Sequence, residues 1–137
     1  MTRLTFACAA TLALAAGLGG HFAGAQSVPA GDNAIQWNLV AIDGAPFDAT
    51  ATIDLATPGR ITGQGPCNRF SASYDGALPD MRPGPVVATR MACADLAAES
   101  TMFGALSQMV RAEVTGPDTL LLTGAKGGSM EFQRAQP

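Results

Sequence analysis

A chain of 137 residues has room for one small domain with a single core. Eight basic side chains stand against eleven acidic ones, a net charge of −3, and no Lys/Arg cluster appears, so no nucleic-acid surface is expected. The chain has one histidine, His21, and three cysteines, Cys8, Cys67 and Cys93.

Residues 1–25 read as a secretory signal. Arg3 gives a short positive region, an apolar run extends from Leu4 to Leu18, and Ala23-Gly24-Ala25 presents small residues for cleavage. The run is too short and too rich in Gly and Ala for a stable membrane span. Cleavage would discard Cys8 and His21, and loss of Arg3 would move the balance from −3 to −4. A mature chain from residue 26 then contains no histidine, which excludes Ser-His and Cys-His nucleophile pairs and histidine-based metal sites.

Residues 26–34 are small and polar, a flexible lead-in to a domain over 35–135. Short alternating segments follow, separated by turn signals, and favour strands. The first is 35–42, with Trp37, Leu39 and Ala41 on one face, ending at Asp43-Gly44. A strand over 51–55 pairs in a hairpin with one over 60–63 across Thr57-Pro58-Gly59. Residues 70–74 alternate Phe70, Ala72 and Tyr74 with serines and meet Asp75-Gly76, a tight-turn pair. After Asp95, a suitable N-cap, Leu96, Met102, Phe103, Leu106, Met109 and Val110 recur at helical spacing, with Glu99 in the first turn, where a carboxylate suits the helix dipole. Strands over 111–115, 119–123 and 129–133 close the chain. Serial hairpins and one helix predict an α+β domain, its antiparallel sheet wrapping one face of the helix.

Two cysteine motifs carry a resemblance. The stretch "GQGPCNRFSASY" contains Gly63, Cys67, Asn68, Phe70 and Tyr74, and "ATRMAC" contains Thr89, Met91, Ala92 and Cys93. "WNLVAIDG" from Trp37 precedes them, Glu99 on a helix follows, and "TLLLTG" and "MEFQR" close the series. In this order the motifs resemble the META domain family of HslJ-like heat-inducible envelope proteins, over about residues 36–134. Pro66 stands where that family usually has glycine, and Ala94 where it often has proline. The resemblance implies an incomplete antiparallel barrel packed on one α-helix. It also implies an envelope setting, often as a lipoprotein, with links to heat induction, novobiocin tolerance and, in a eukaryotic branch, parasite virulence. It brings no catalytic residues and no established molecular activity.

Cys67 and Cys93 are an even pair in a chain read as exported, and a disulfide is the simplest account of them. Three alternatives stand beside it. A redox-active pair is usually adjacent and has a lowered thiol pKa; only Arg69 and Arg90 lie near in sequence to supply positive charge. A zinc site would have to add carboxylates to two thiolates. The glycines of 63–65 lack the Gly-Lys-Ser/Thr of a phosphate loop and read as a tight turn, with Asn68 able to bond its own backbone.

Other residues have a plain and a functional reading. Trp37 and Tyr74 suit either a core or an aromatic ligand surface. Asp95 and Glu99 suit capping or an acid–base pair, and Arg90 is placed to pair with Glu99. Met102 and Met109 suit core filling or copper. The expectation is a non-enzymatic, periplasmic or secreted domain without cofactor or metal. It would serve envelope stress tolerance through an unknown protein or envelope component. An inhibitor module using the turns at 56–59 or 75–85, and a thiol redox protein using Cys67 and Cys93, are the rivals.

Overall fold

The computed structural model describes residues 35–136; the signal read over 1–25 and the lead-in over 26–34 lie outside the described residues. Ten strands and one helix follow in chain order. They are β1 (Gln36–Ile42), β2 (Ala45–Pro46), β3 (Thr52–Asp54), β4 (Arg60–Gln64), β5 (Arg69–Asp75), β6 (Arg82–Pro83) and β7 (Val87–Ala88). Helix α1 (Leu96–Leu106) precedes β8 (Met109–Val114), β9 (Thr119–Gly124) and β10 (Ser129–Arg134).

All pairs are antiparallel, as short connections allow for successive strands; β1 and β10, from opposite ends of the domain, pair antiparallel as well. The sheet runs β6-β5-β4-β3-β1-β10-β9-β8, with β2 beside β1 and β7 beside β5. Its two ends approach each other. The Met81 amide donates to the Val110 carbonyl at 3.0 Å, and the Ala112 amide to the Pro79 carbonyl at 2.8 Å, around a lone Asp80–Arg111 bridge. The sheet is therefore strongly curled but not closed into a barrel, and the domain is α+β.

Period-two patterning sets which side chains enter the curl. Trp37 and Leu39 of β1, Phe70, Ala72 and Tyr74 of β5, Leu120 and Leu122 of β9, and Met130 and Phe132 of β10 alternate with more exposed neighbours and are all buried. Met102 and Leu106 of α1 close the core from the other side, both fully buried. Each large apolar side chain removed from water contributes about 1.5–3 kcal/mol. Trp37, Tyr74, Met102 and Met109 are core residues; Arg134 lies over the Trp37 ring, 5.4 Å from its centroid.

The helix is shorter than its spacing predicts. Met109 and Val110 continue the three- and four-residue rhythm, yet the Ser107 amide bonds back to Phe103 and the Gln108 amide to Ala105, tightening the last turn. Met109 then opens β8 opposite Gly124, and Val110 points outward at 39% exposure. Leu96 is also exposed, at 42%, so the apolar stripe is confined to Met102, Phe103 and Leu106. Asp95 occupies the N-cap position without a side-chain cap bond.

Candidate functional site

The loop between β4 and β5 carries Cys67 and Asn68 beneath the first turn of α1. Glu99 reaches down from that turn and is 5% exposed. Its Oε2 accepts the backbone amides of Cys67 at 2.8 Å and Asn68 at 2.7 Å; its Oε1 accepts the Asn68 side-chain amide at 2.6 Å. Helix dipole stabilisation is thus a minor part of what Glu99 does. Burial pushes its carboxyl up, but the Asn68 side chain and the Cys67 and Asn68 amides together outweigh this. Glu99 therefore sits below the ordinary glutamate value. Arg90 forms no ion pair with Glu99 among the described residues, whose ion pairs join Arg111 to Asp80 and Glu113, and Arg134 to Asp118.

Asn68, 2% exposed, also holds the segment between β7 and α1. Its Oδ1 accepts the Met91 amide at 2.6 Å and the Thr89 hydroxyl at 2.9 Å, and its Nδ2 donates to the Met91 carbonyl at 3.2 Å. The tight-turn reading had Asn68 bonding its own backbone. The side chain instead bridges to a distant strap and a helix, because burial leaves its amide no water and every donor and acceptor must find protein. Cys67 and Cys93 are joined by a disulfide, Cα atoms 5.8 Å apart, which ties the end of the same strap to the same loop. The Asp95 amide points at Cys93 Sγ, 3.4 Å away.

The motif residues therefore divide. Cys67, Asn68, Thr89, Met91, Cys93 and Glu99 come together in one node. Ala92 lies on the exposed strap beside it. Trp37, Phe70 and Tyr74 sit apart in the core. Gly63 lies between them in β4, opposite Ile53, with Phe70 packed over it. Over the node opens a groove of about 460 Å³, lined by Val86, Ala88, Arg90, Met91, Leu96 and Phe103 among others. Met91 is 67% exposed there.

Two further participants have contacts that the sequence does not disclose. Gly65 lies directly under the carboxylate, where an added Cβ would stand 2.8 Å from Glu99 Oε2. Phe103 packs on Phe70 with ring centroids 5.0 Å apart, wedging α1 against β5. Helical spacing places Phe103 and the tight-turn reading places Gly65, but neither signal gives the contact. The β7 edge does have a local signal: Pro83-Gly84-Pro85 marks a border strand, since proline cannot donate within a ladder.

Chemically, the node is bonded inward: both oxygens of Glu99 and each polar side-chain atom of Asn68 take partners within the protein. No three His, Cys, Asp or Glu side chains converge as a metal site among the described residues. No helix of the described residues is long and apolar enough to cross a membrane.

Comparison with known proteins agrees with the fold. Residues 33–137 match the family model for the META domain. No curated protein matches the chain. An NMR structure of a protein from Burkholderia xenovorans is 24% identical, covering 77% of this chain and 84% of that one with a TM-score of 0.59. A second NMR structure is 23% identical, covering 72% and 87%, with a TM-score of 0.54. At these identities the likeness is one of fold.

Proposed function

Because the chain belongs to the META domain family, we propose that it is a non-enzymatic, exported domain serving envelope stress tolerance by binding a partner. One observation carries this reading. The motif residues gathered in the node, Cys67, Asn68, Thr89, Met91, Cys93 and Glu99, are spent on building a surface. Asn68 and Glu99 satisfy each other and the strap, while Met91, Arg90 and Leu96 are presented outward above them. A general acid or base needs a free position facing substrate and a pKa near the working pH. Against such a role, Glu99 is buried, both its oxygens accept from protein donors and its carboxyl is held down. The disulfide acts here as a staple for the strap, and a bridge of that kind suits an oxidising compartment.

Deleting the gene in the source organism and challenging cells with heat and novobiocin tests the reading. Sensitivity is expected, with rescue by the full chain but not by a form lacking residues 1–25. Envelope fractions should yield a mature protein beginning at Gln26. Unaltered tolerance to both stresses, or a full-length chain confined to the cytoplasm, would sink it.

A further inference from the structure

Residues 82–88 border the sheet alongside β5. The first half of this border is blunted: Pro83 and Pro85 lack an N–H, and the Gly84 amide donates to the Ser73 carbonyl at 2.7 Å. The second half is open. Val87 pairs with Ser71 and Ala88 with Phe70, and the Thr89 amide donates to the Arg69 carbonyl at 3.0 Å. Bonding alternates residue by residue in an antiparallel ladder. With Thr89 and Val87 turned toward β5, the N–H and C=O of Val86 and Ala88 turn outward. Among the described residues β5 is the one strand paired with β7.

A groove lies on each face of this edge. Val86 and Ala88 line the one of about 460 Å³ with Arg90, Met91 and Leu96. Val87 and Pro85 line the other, of about 590 Å³, with Arg60, Ser71 and Ser73. An added strand requires such an arrangement: unpaired backbone in the middle and room on both faces for alternate side chains. The charge is one-sided. Glu99 is the one carboxylate lining either groove, and its oxygens are taken. Arg60 and Arg90 are exposed and have no ion-pair partner among the described residues. Val87 and Met91 are 69% and 67% exposed.

We infer that the Val86–Ala88 edge takes an acidic, extended polypeptide segment as an additional strand. Carboxylates of that segment meet Arg60 and Arg90, and its apolar side chains cover Val87 on one face and Met91 on the other. A second copy of this chain fits less well, since edge-to-edge pairing would bring Arg60 and Arg90 against like charges. The inference rests on the partner-binding reading above and names the class of that partner.

The test uses isotope-labelled protein as isolated from cells and two short acetylated peptides, one alternating glutamate with valine and the other lysine with valine. The glutamate peptide should shift the amide signals of Val86 and Ala88 and slow their hydrogen exchange; the lysine peptide should not. Ala88→Pro removes one outward N–H where β5 needs none, so the fold should survive while binding weakens about tenfold. Arg90→Glu should reverse the peptide preference. Equal binding of both peptides, undiminished binding by Ala88→Pro, or a dimer of the free protein that Ala88→Pro dissolves would each overturn the inference. In cells lacking the gene, full rescue by Ala88→Pro would reject the edge and leave the stress reading standing. Absence of a stress phenotype would reject that reading and leave peptide binding to stand on its own measurement.

Discussion

The side-chain amide of Asn68 donates to Glu99 Oε1 at 2.6 Å while the backbone amide of the same residue donates to Oε2 at 2.7 Å, so one residue grips both oxygens of one carboxylate. Residues 31 positions apart thereby fix the first turn of α1 to the loop that opens β5. Disulfide, strap and groove are all arranged around this contact.

Glu99→Gln keeps the shape and loses the charge. Its amide nitrogen would face either the Asn68 amide or the two backbone donors, leaving buried groups unmatched. A cost of about 2 kcal/mol is expected, read as a lower urea midpoint at unchanged slope. The pH dependence has a definite sign. A carboxyl depressed in the folded state stabilises fully above its ordinary value of 4.5, and that stabilisation is lost as pH falls through the folded value. The gap between wild type and Glu99→Gln should stay constant at neutral pH and narrow below about pH 4.5. A gap independent of pH would mean that folding leaves the Glu99 carboxyl unperturbed, and a gap that widens in acid would mean that Glu99 folds uncharged.

Asn68→Asp should behave in the opposite way. It replaces the donor 2.6 Å from Glu99 Oε1 with an acceptor and sets two carboxyl groups against each other in a buried site. Such a pair keeps a proton between its members. Folding of this variant then takes up a proton, so its deficit grows as pH rises through the ordinary carboxyl range and shrinks in acid. Thermal melts from acid to neutral pH, compared with wild type, read the sign directly; a deficit that shrinks as pH rises would refute the pairing.

The sequence discloses some of this site and hides the rest for physical reasons. Strands β5, β9 and β10 are legible because buried and open side chains alternate in each, whereas β1 is legible only to Leu39: a register shift between Leu39 and Ala41 turns Ile42 into the core in place of the expected Ala41. Strands β6 and β7 are two residues long and separated by Gly84-Pro85-Val86, too short for any period to appear. The helix end is misread because Met109 falls three residues after Leu106, so a buried strand residue happens to continue the helical rhythm. Glu99 is legible as a helix residue but its partners are not. Hydrogen bonds across 31 and 32 residues leave no local spacing, and Arg90, the obvious charge partner, faces the groove instead. The disulfide is legible because Cys67 and Cys93 are the two cysteines of the domain, and the export expected from residues 1–25 favours pairing them.

Replacing Cys67 and Cys93 together by alanine should lower stability by about 3.5 kcal/mol, the loop-closure value for a separation of 26 residues. For a domain of this size the melting temperature should fall on the order of 15 °C. The same bridge separates a staple from a redox centre. A structural disulfide stays oxidised in a dithiol buffer poised at about −270 mV, whereas a catalytic pair is substantially reduced there. Alkylation followed by intact-mass measurement distinguishes the two. Extensive reduction with little change in melting would revive the thiol reading, for which exposed Cys93 near the start of α1 is suitably placed.

Two glycines make a matched pair of opposite outcomes. A Cβ at Gly63 would overlap the Thr52 carbonyl oxygen and come within 2.9 Å of the Phe70 ring, with backbone on one side and a core aromatic on the other. Neither can retreat, because Thr52 belongs to the β3–β4 ladder and Phe70 is held by Phe103. Gly63→Ala should therefore cost more than about 3 kcal/mol and loosen the strands beneath the Asn68 loop. Gly104, in α1, has nothing within 4 Å of the same added atom. Gly104→Ala should stabilise by about 0.5–1 kcal/mol through helix propensity alone. Urea midpoints moving apart in these directions, with the Gly63 variant also losing hydrogen-exchange protection at Cys67 and Asn68, would establish that close strand approach at Gly63 supports the node. A Gly63→Ala protein as stable as wild type would show that β3 and β4 can separate without disturbing it.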